Sequence, residues 1–472
     1  MVNSRTSRVK GRGGAWVISV IVLVLVALAG TGAYRLGYLN DAICDGPCGA
    51  AFVTPPDSLV VTPPTAPAKP AASTASGEAD TEKVRQAVSP FLESAALGPD
   101  VGFTAIDLRT GSTLWLTDEK PLIPASTNKL FTTFSALSTM DPQHRFSTSV
   151  RLVGTERIIL VGGGDPYLRA KARKKSAYPQ MATIPDLAAK TARSLKMADI
   201  TTVRLAYDAS LFSGPAESPD WEPSYVSANI VTRISALWAD EGVEGSVRAK
   251  DPANAAAQKF ADALRKRGIT VEGEIESMKA PADAKAVASV LSPTVGQIIE
   301  LINQTSDNQA AEVMFRQVAL ATGRPGSFTG GQKAVASTLK SAGIDLAGTR
   351  ILDGSGLSRH NRTTSEALAR TLYEASQRQQ TKALLADLPV AGFNGSLEDR
   401  FSTGSSMRAL GLVRAKTGTL TGVQGLAGAS VDADGRGIIF AVLGNGAPAR
   451  SPYAGRAATE RVAAAVTACH CG

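Results

Sequence analysis

Histidine is almost missing from this chain of 472 residues: His144, His360 and His470 are the only ones. A serine, histidine and carboxylate mechanism would have to recruit one of three residues, each of a type that is more often an ordinary polar group than a catalyst. Aromatics amount to 5%, and no alternation of aromatic and basic residues of the RNA-binding kind is present. Cysteine is confined to the ends, at Cys44, Cys48, Cys469 and Cys471. Cys-x3-Cys and Cys-x-Cys are poor zinc spacings even with His470 alongside, so disulfides tying the two ends together are the preferred expectation, their pairing left open. Acids are missing before Asp41, while Arg5, Arg8, Lys10, Arg12 and Arg35 supply five charges of the net +8. The remainder carries only about +3, which argues against nucleic acid as a partner. A phosphate-binding loop is lacking too. Gly162-Gly163-Gly164 is followed by Asp165-Pro166 without the Lys-Ser/Thr ending of a P-loop, and reads as a turn.

What is present begins with one long apolar run, Ala15 to Ala33, of bilayer-spanning length behind a basic flank. Lys and Arg stay on the cytoplasmic side, so everything beyond Tyr34 is expected outside. Residues 1–40 therefore read as a basic tail plus a membrane anchor or signal peptide; an uncleaved anchor is favoured over cleavage near Ala27-Leu28-Ala29. The product is extracytoplasmic, either anchored or secreted to the periplasm or cell wall. Residues 41–80 form a Pro-rich linker. The length exceeds what a single core usually serves, so two or more packing units are expected.

The globular part opens with a helical pattern at 81–96 in which Pro90 predicts a kink or break. VGFTAIDL and STLWLTD around Gly111 predict a hairpin, and Pro124 precedes a helical run, STNKLFTTFSALSTM. Residues 148–286 change character, mixing short strands with helical AAAQKFADALRKRG, and read as a mostly β inserted domain. The flanking segments 81–147 and 287–472 form one further domain. It ends on strand-like LGLVRAKTGTL, the hairpin GLAGASV and GIIFAVLG, and an Ala-rich helix. Helix, antiparallel sheet, internal helices, sheet and helix make an α+β sandwich interrupted once.

Chemistry is carried by three short motifs. In Ser126-Thr127-Asn128-Lys129 a hydroxyl and an amine stand three residues apart, neighbours on a helical face. Serine attacks carbonyls only when a base takes its proton, and a lysine whose pKa is lowered by burial can do so. Ser306-Asp307-Asn308 lies within helical sequence and Lys416-Thr417-Gly418-Thr419 on the late strand. Ser306 can relay a proton, Asn308 can bond a substrate amide, and Lys416 can hold a carboxylate. Gly418 leaves room for a backbone, with the Thr417 and Thr419 hydroxyls near a peptide's terminal carboxylate. The backbone N–H groups of Ser126 and Thr419 are the natural oxyanion donors.

This order of motifs resembles that of penicillin-interactive serine enzymes. With GGGDPYL at 162–168, YDASLF at 207–212, DGSGLSRHN at 353–361, LPVAGFNGSLEDR at 388–400 and about 177 residues between Lys129 and Ser306, the chain is similar to class C low-molecular-mass penicillin-binding proteins. These form the D-alanyl-D-alanine carboxypeptidase and endopeptidase family. The resemblance covers 81–472 and implies a penicillin-binding, β-lactamase-like transpeptidase fold. It implies a serine DD-peptidase acting on peptidoglycan stem peptides that end in D-Ala-D-Ala, with Ser126 acylated, Lys129 as base, and Ser306 with Lys416 passing the proton to the leaving amine. It also implies β-lactams as covalent inhibitors and no metal or organic cofactor. The rival readings are a β-lactam-hydrolysing or esterase-type serine hydrolase and a catalytically weak cell-wall scaffold.

Overall fold

The computed structural model describes residues 79–472 apart from 118–119, 173, 175–176 and 449–451. The apolar run and the linker up to residue 78, with Cys44 and Cys48, lie outside the described residues. Among the described residues no helix is long and apolar enough to cross a membrane. The compact unit Ser73–Gly472 contains everything that follows.

Helix α1 (Thr81–Leu92) starts at Asp80, whose carboxylate accepts the Glu82 and Lys83 amides as a cap. The helix continues through Pro90 and stops two residues later, earlier than the apolar spacing to residue 96 suggested. Strands β1 (Asp100–Asp107) and β2 (Thr113–Leu116) form the expected hairpin. A 3-10 turn (Ala125–Asn128) then leads into α2 (Lys129–Thr139).

From here the chain builds a second sheet: β3 (Arg145–Val153), β4 (Arg157–Val161), α3 (Ile184–Lys196), β5 (Thr202–Asp208), the small ribbon β6 (Val243–Glu244) and β7 (Val247–Arg248), α4 (Pro252–Arg265), β8 (Thr270–Ser277) and β9 (Lys285–Thr294). The large strands order as β8-β5-β4-β3-β9, with β4, β5 and β8 parallel. The Leu187, Ala188 and Leu195 side of α3 and the Phe260 and Leu264 side of α4 bury against Val150, Ile158 and Val203.

The chain returns through α5 (Val295–Thr305), α6 (Asn308–Ala321), α7 (Phe328–Ser341), α8 (Ser365–Gln377) and α9 (Ala383–Ala386) to β10 (Arg414–Leu420), β11 (Val423–Val431), β12 (Gly437–Asn445) and α10 (Pro452–Ala468). The first sheet is wholly antiparallel, ordered β10-β11-β12-β1-β2. Strand β12 has apolar residues at successive positions because both of its faces are covered. Ile439, Ala441 and Leu443 face α2, α5, α6 and α8. Ile438, Phe440 and Val442 face α1 and α10, where Ala458, Ala463 and Ala464 let that helix lie close. The result is the expected α+β layering, with β10 at the sheet edge beside the turn that carries Ser126.

Cys469 and Cys471 are bonded to each other. The expected tie between the two ends of the exported part is therefore replaced, for these two sulfurs, by a local link within the tail.

Candidate active site

Ser126 lies in the 3-10 turn rather than in the α-helix that the sequence pattern extended over it. A 3-10 turn has three residues per revolution, so positions i and i+3 eclipse, and Lys129 stands directly over the serine. The Lys129 amine, fully buried, donates to Ser126 Oγ at 2.9 Å, to Asn308 Oδ1 at 2.8 Å and to the Ser355 carbonyl at 2.8 Å. Burial pushes its pKa down from 10.5 to about 8, against the pull of Asp353, Glu312 and Asp307, which favour the charge. The amine is held at the hydroxyl and loses its proton far more readily than in water.

The Ser306-Asp307-Asn308 tripeptide is a junction between two helices. Ser306 ends α5 in the left-handed conformation, φ 60°, and the Asp307 carboxylate caps α6 by accepting the Ala310 amide at 3.0 Å. Three polar residues that favour caps and turns break the helix here, which turns the Ser306 hydroxyl towards the sheet edge. There Lys416 Nζ donates to Ser306 Oγ at 2.8 Å and to the Thr417 carbonyl at 2.9 Å. Burial, with the nearby Lys129 charge adding to it, holds the Lys416 amine well below its usual pKa. Asn308 is engaged on both sides, its Nδ2 donating to the Ile230 carbonyl at 3.2 Å, so a segment inside 148–286 reaches the site.

On β10 the expected residues line up along the edge. Thr417 and Thr419 are partly exposed while Lys416 and Gly418 are buried. A side chain at Gly418 would meet the Pro124 carbonyl at 2.7 Å and the Thr127 amide at 3.1 Å. The room this glycine leaves is thus filled by the turn bearing Ser126, which presses against the strand. The outer side of β10 is bridged at Arg414 by Val390, and Ala415 donates to the Pro389 carbonyl at 3.0 Å. From Lys416 to Leu420 no strand pairs on that side among the described residues, which leaves an edge along which an extended peptide can add.

Four groups were given no role at the site from the sequence, although Asp353 lies in a run, Asp353 to Gly356, that reads as a structural loop near it. Ser396, inside LPVAGFNGSLEDR, accepts from Thr417 Oγ1 at 3.1 Å. Asp353, in DGSGLSRHN, collects the Trp221 indole at 2.9 Å, the Ser358 and Gly356 amides at 2.7 and 2.9 Å, and Asn361 Nδ2 at 2.8 Å. Glu312, wholly buried, accepts the Ser355 amide at 2.8 Å and the Gly354 amide at 3.1 Å. Trp221 reaches Asp353 from within 148–286. A signal did exist for Glu312: an acid in the apolar run AAEVMF, one turn after Asn308, is a charge at a position that should be buried. The histidines are engaged elsewhere. His360 faces Asp220 at 3.5 Å, His470 faces Asp434 at 3.1 Å, and His144 packs edge-on against Phe146.

The family model described as D-Ala-D-Ala carboxypeptidase 3 (S13) matches residues 84–246 and 241–466. A carboxypeptidase of Mycobacterium tuberculosis is 37% identical over 400 residues, covering 81% of this chain and 84% of that protein. Carboxypeptidase DacB of Mycolicibacterium smegmatis is 34% identical over 473 residues, covering 96% of this chain and 97% of its own length. Among solved structures, penicillin-binding protein 4 (dacB) from Haemophilus influenzae superposes with a TM-score of 0.65 at 22% identity, over 81% of this chain and 98% of that one, a likeness of fold.

Proposed function

We infer, from the D-Ala-D-Ala carboxypeptidase S13 family to which this chain belongs, that Ser126 is the nucleophile of a reaction on peptidoglycan stem peptides ending in D-Ala-D-Ala. The protein is a serine DD-peptidase, a D-Ala-D-Ala carboxypeptidase. The observation that carries the residue assignment is the buried Lys129 amine, 2.9 Å from Ser126 Oγ with its pKa lowered to about 8.

Ser126 Oγ bonds to the carbonyl carbon of the penultimate D-alanine as its proton passes to Lys129 Nζ. The developing oxyanion is taken by the backbone N–H groups of Ser126 and Thr419. The C–N bond then breaks. The leaving amine of the terminal D-alanine takes a proton from Ser306, which Lys416 replaces across their 2.8 Å contact. Water then adds to the ester carbonyl, its proton returns to Ser126 Oγ as the ester C–O bond breaks, and the proton gained by Lys129 makes good the one given up by Lys416. Asn308 steadies Lys129 and bonds the peptide's amide, while Thr417, Gly418 and Thr419 receive its backbone and terminal carboxylate, with the nearby Lys416 charge assisting. Every step uses side chains and backbone of this chain.

The same acylation chemistry makes β-lactams covalent inhibitors. One Haemophilus influenzae penicillin-binding protein 4 structure is complexed with a β-lactam. Residues 148–286 act as an inserted domain that shapes the groove, and residues 15–33 anchor the catalytic part to the outer face of the membrane. Incubating the protein with a peptide ending in D-Ala-D-Ala is expected to release free D-alanine, and Ser126→Ala to abolish it. Penicillin labelling without any D-alanine release would contradict the substrate assignment.

A further inference from the structure

Lys129 has three acceptors, and two of them trace back to one helix. Asn308 opens α6 and accepts from Lys129 directly. Glu312 lies four residues on, on the same face, and touches Lys129 only through another segment. Its carboxylate receives the amides of Gly354 and Ser355. The carbonyls of those same two residues point the other way, Gly354 to Thr132 Oγ1 at 2.8 Å and Ser355 to Lys129 Nζ at 2.8 Å. The Gly354–Ser355 peptide is therefore fixed between α6 and α2. Gly356, at φ 82°, allows the close approach, since a side chain there would strike the Ala125 carbonyl.

We propose that Glu312 is a positioning residue for acylation, holding the Ser355 carbonyl on Lys129 Nζ and so aiming the amine at Ser126. The proposal rests on the reading of Ser126 and Lys129 as nucleophile and base. A buried carboxyl is costly unless its bonding is satisfied, and Glu312 commits its two oxygens to two successive backbone amides of this loop. Arg316, the next turn along, is committed to the Ser213, Gly326 and Pro215 carbonyls at 2.9, 3.1 and 2.8 Å.

The charged groups around the amine are Asp353 from the loop, Glu312 and Asp307 from α6 and its cap, and Lys416 from β10. The three acids favour the charged amine and burial opposes it. Burial, and then Asp353, push the Glu312 carboxyl up, while its hydrogen bonds from Ser355 and Gly354 favour the ionised form.

The test is the second-order rate of acylation by benzylpenicillin against pH, on the wild type, Glu312→Gln and Glu312→Asp, with thermal unfolding alongside. Glutamine sets an N–H against one of the two amides, so that bond fails. Glu312→Gln is expected to acylate at least about tenfold more slowly. Its acid limb is expected at lower pH, because a carboxylate that helps keep the proton on Lys129 is gone. Glu312→Asp keeps the charge but not the reach, and is expected to be slower with its midpoint unmoved. A full wild-type rate in either variant, or a slower Glu312→Gln with an unmoved midpoint, overturns the proposal. If the glutamine variant does not fold, the aspartate variant decides it by rate. A wild type that is not acylated overturns the Ser126 and Lys129 reading instead.

Discussion

A lysine amine wholly withdrawn from water is a base from about the pH at which burial lets it shed its proton upwards. For Lys129 that pH is about 8. In the proposed mechanism the neutral amine is the reactive form, so the acylation rate is expected to rise with pH, by about tenfold per unit well below the midpoint, and to level above about 8. Stopped-flow acylation from pH 5 to about 10 checks this, and a rate flat through pH 8 would remove Lys129 as the base. At this scale the sequence was most informative, because Ser126 with Lys129, Ser306 with Asn308, and Lys416 to Thr419 are local motifs with fixed spacing. Asp353, Glu312 and Ser396 were not legible as site residues. Their roles arise from bonds to residues far along the chain, and each sits in a stretch that reads as loop or helix core.

Elements place these residues by ending where they do. The break between α5 and α6 falls at Ser306, inside a stretch whose helical periodicity holds on both sides from Leu301 to Phe315; Ser306 to Asn308 could be read there as a local break or cap, and that is what they form. The 3-10 turn ahead of α2 was hidden, as its residues also suit a first α-helical turn. The loop from Leu388 to Arg400, which brings Ser396 to Thr417, is tied to α10 by a nearly buried ion pair, Arg400 Nε to Glu460 Oε1 at 2.6 Å. Glu460 Oε2 also accepts the Phe401 amide at 3.2 Å. Arg400→Ala leaves that carboxylate unpaired, and a loss of about 3 kcal/mol of folding stability is expected. Urea unfolding measures it, and an unchanged midpoint would mean that the pair holds nothing.

Over the whole molecule, the proposed catalytic groups come from segments separated by most of the chain. β1, from the start of the globular part, pairs with β12 near its end; β2 is the edge opposite β10, and the chain after it returns past the end of β12, where Ile123 and Asn445 exchange bonds at 2.8 and 3.2 Å, to set the Ala125–Asn128 turn beside β10. Local patterns gave the strands, including the β11 and β12 hairpin, but nothing in them stated that order. Nor did they show that 148–286 reaches the site through Trp221 and Ile230. All the site residues lie within Ser73–Gly472. That unit produced alone is expected to be acylated by penicillin at the rate of the full chain, measured on both proteins at equal concentration. A large deficit would mean that the preceding residues complete the site.

The central assignment is Ser126, and mass mapping of the penicillin adduct tests it most directly. The intact protein is expected to gain one penicillin, the modified peptide to carry it on Ser126, and Ser126→Ala to stay unlabelled while remaining folded. An adduct on another residue, or labelling of Ser126→Ala at the wild-type level, would contradict it.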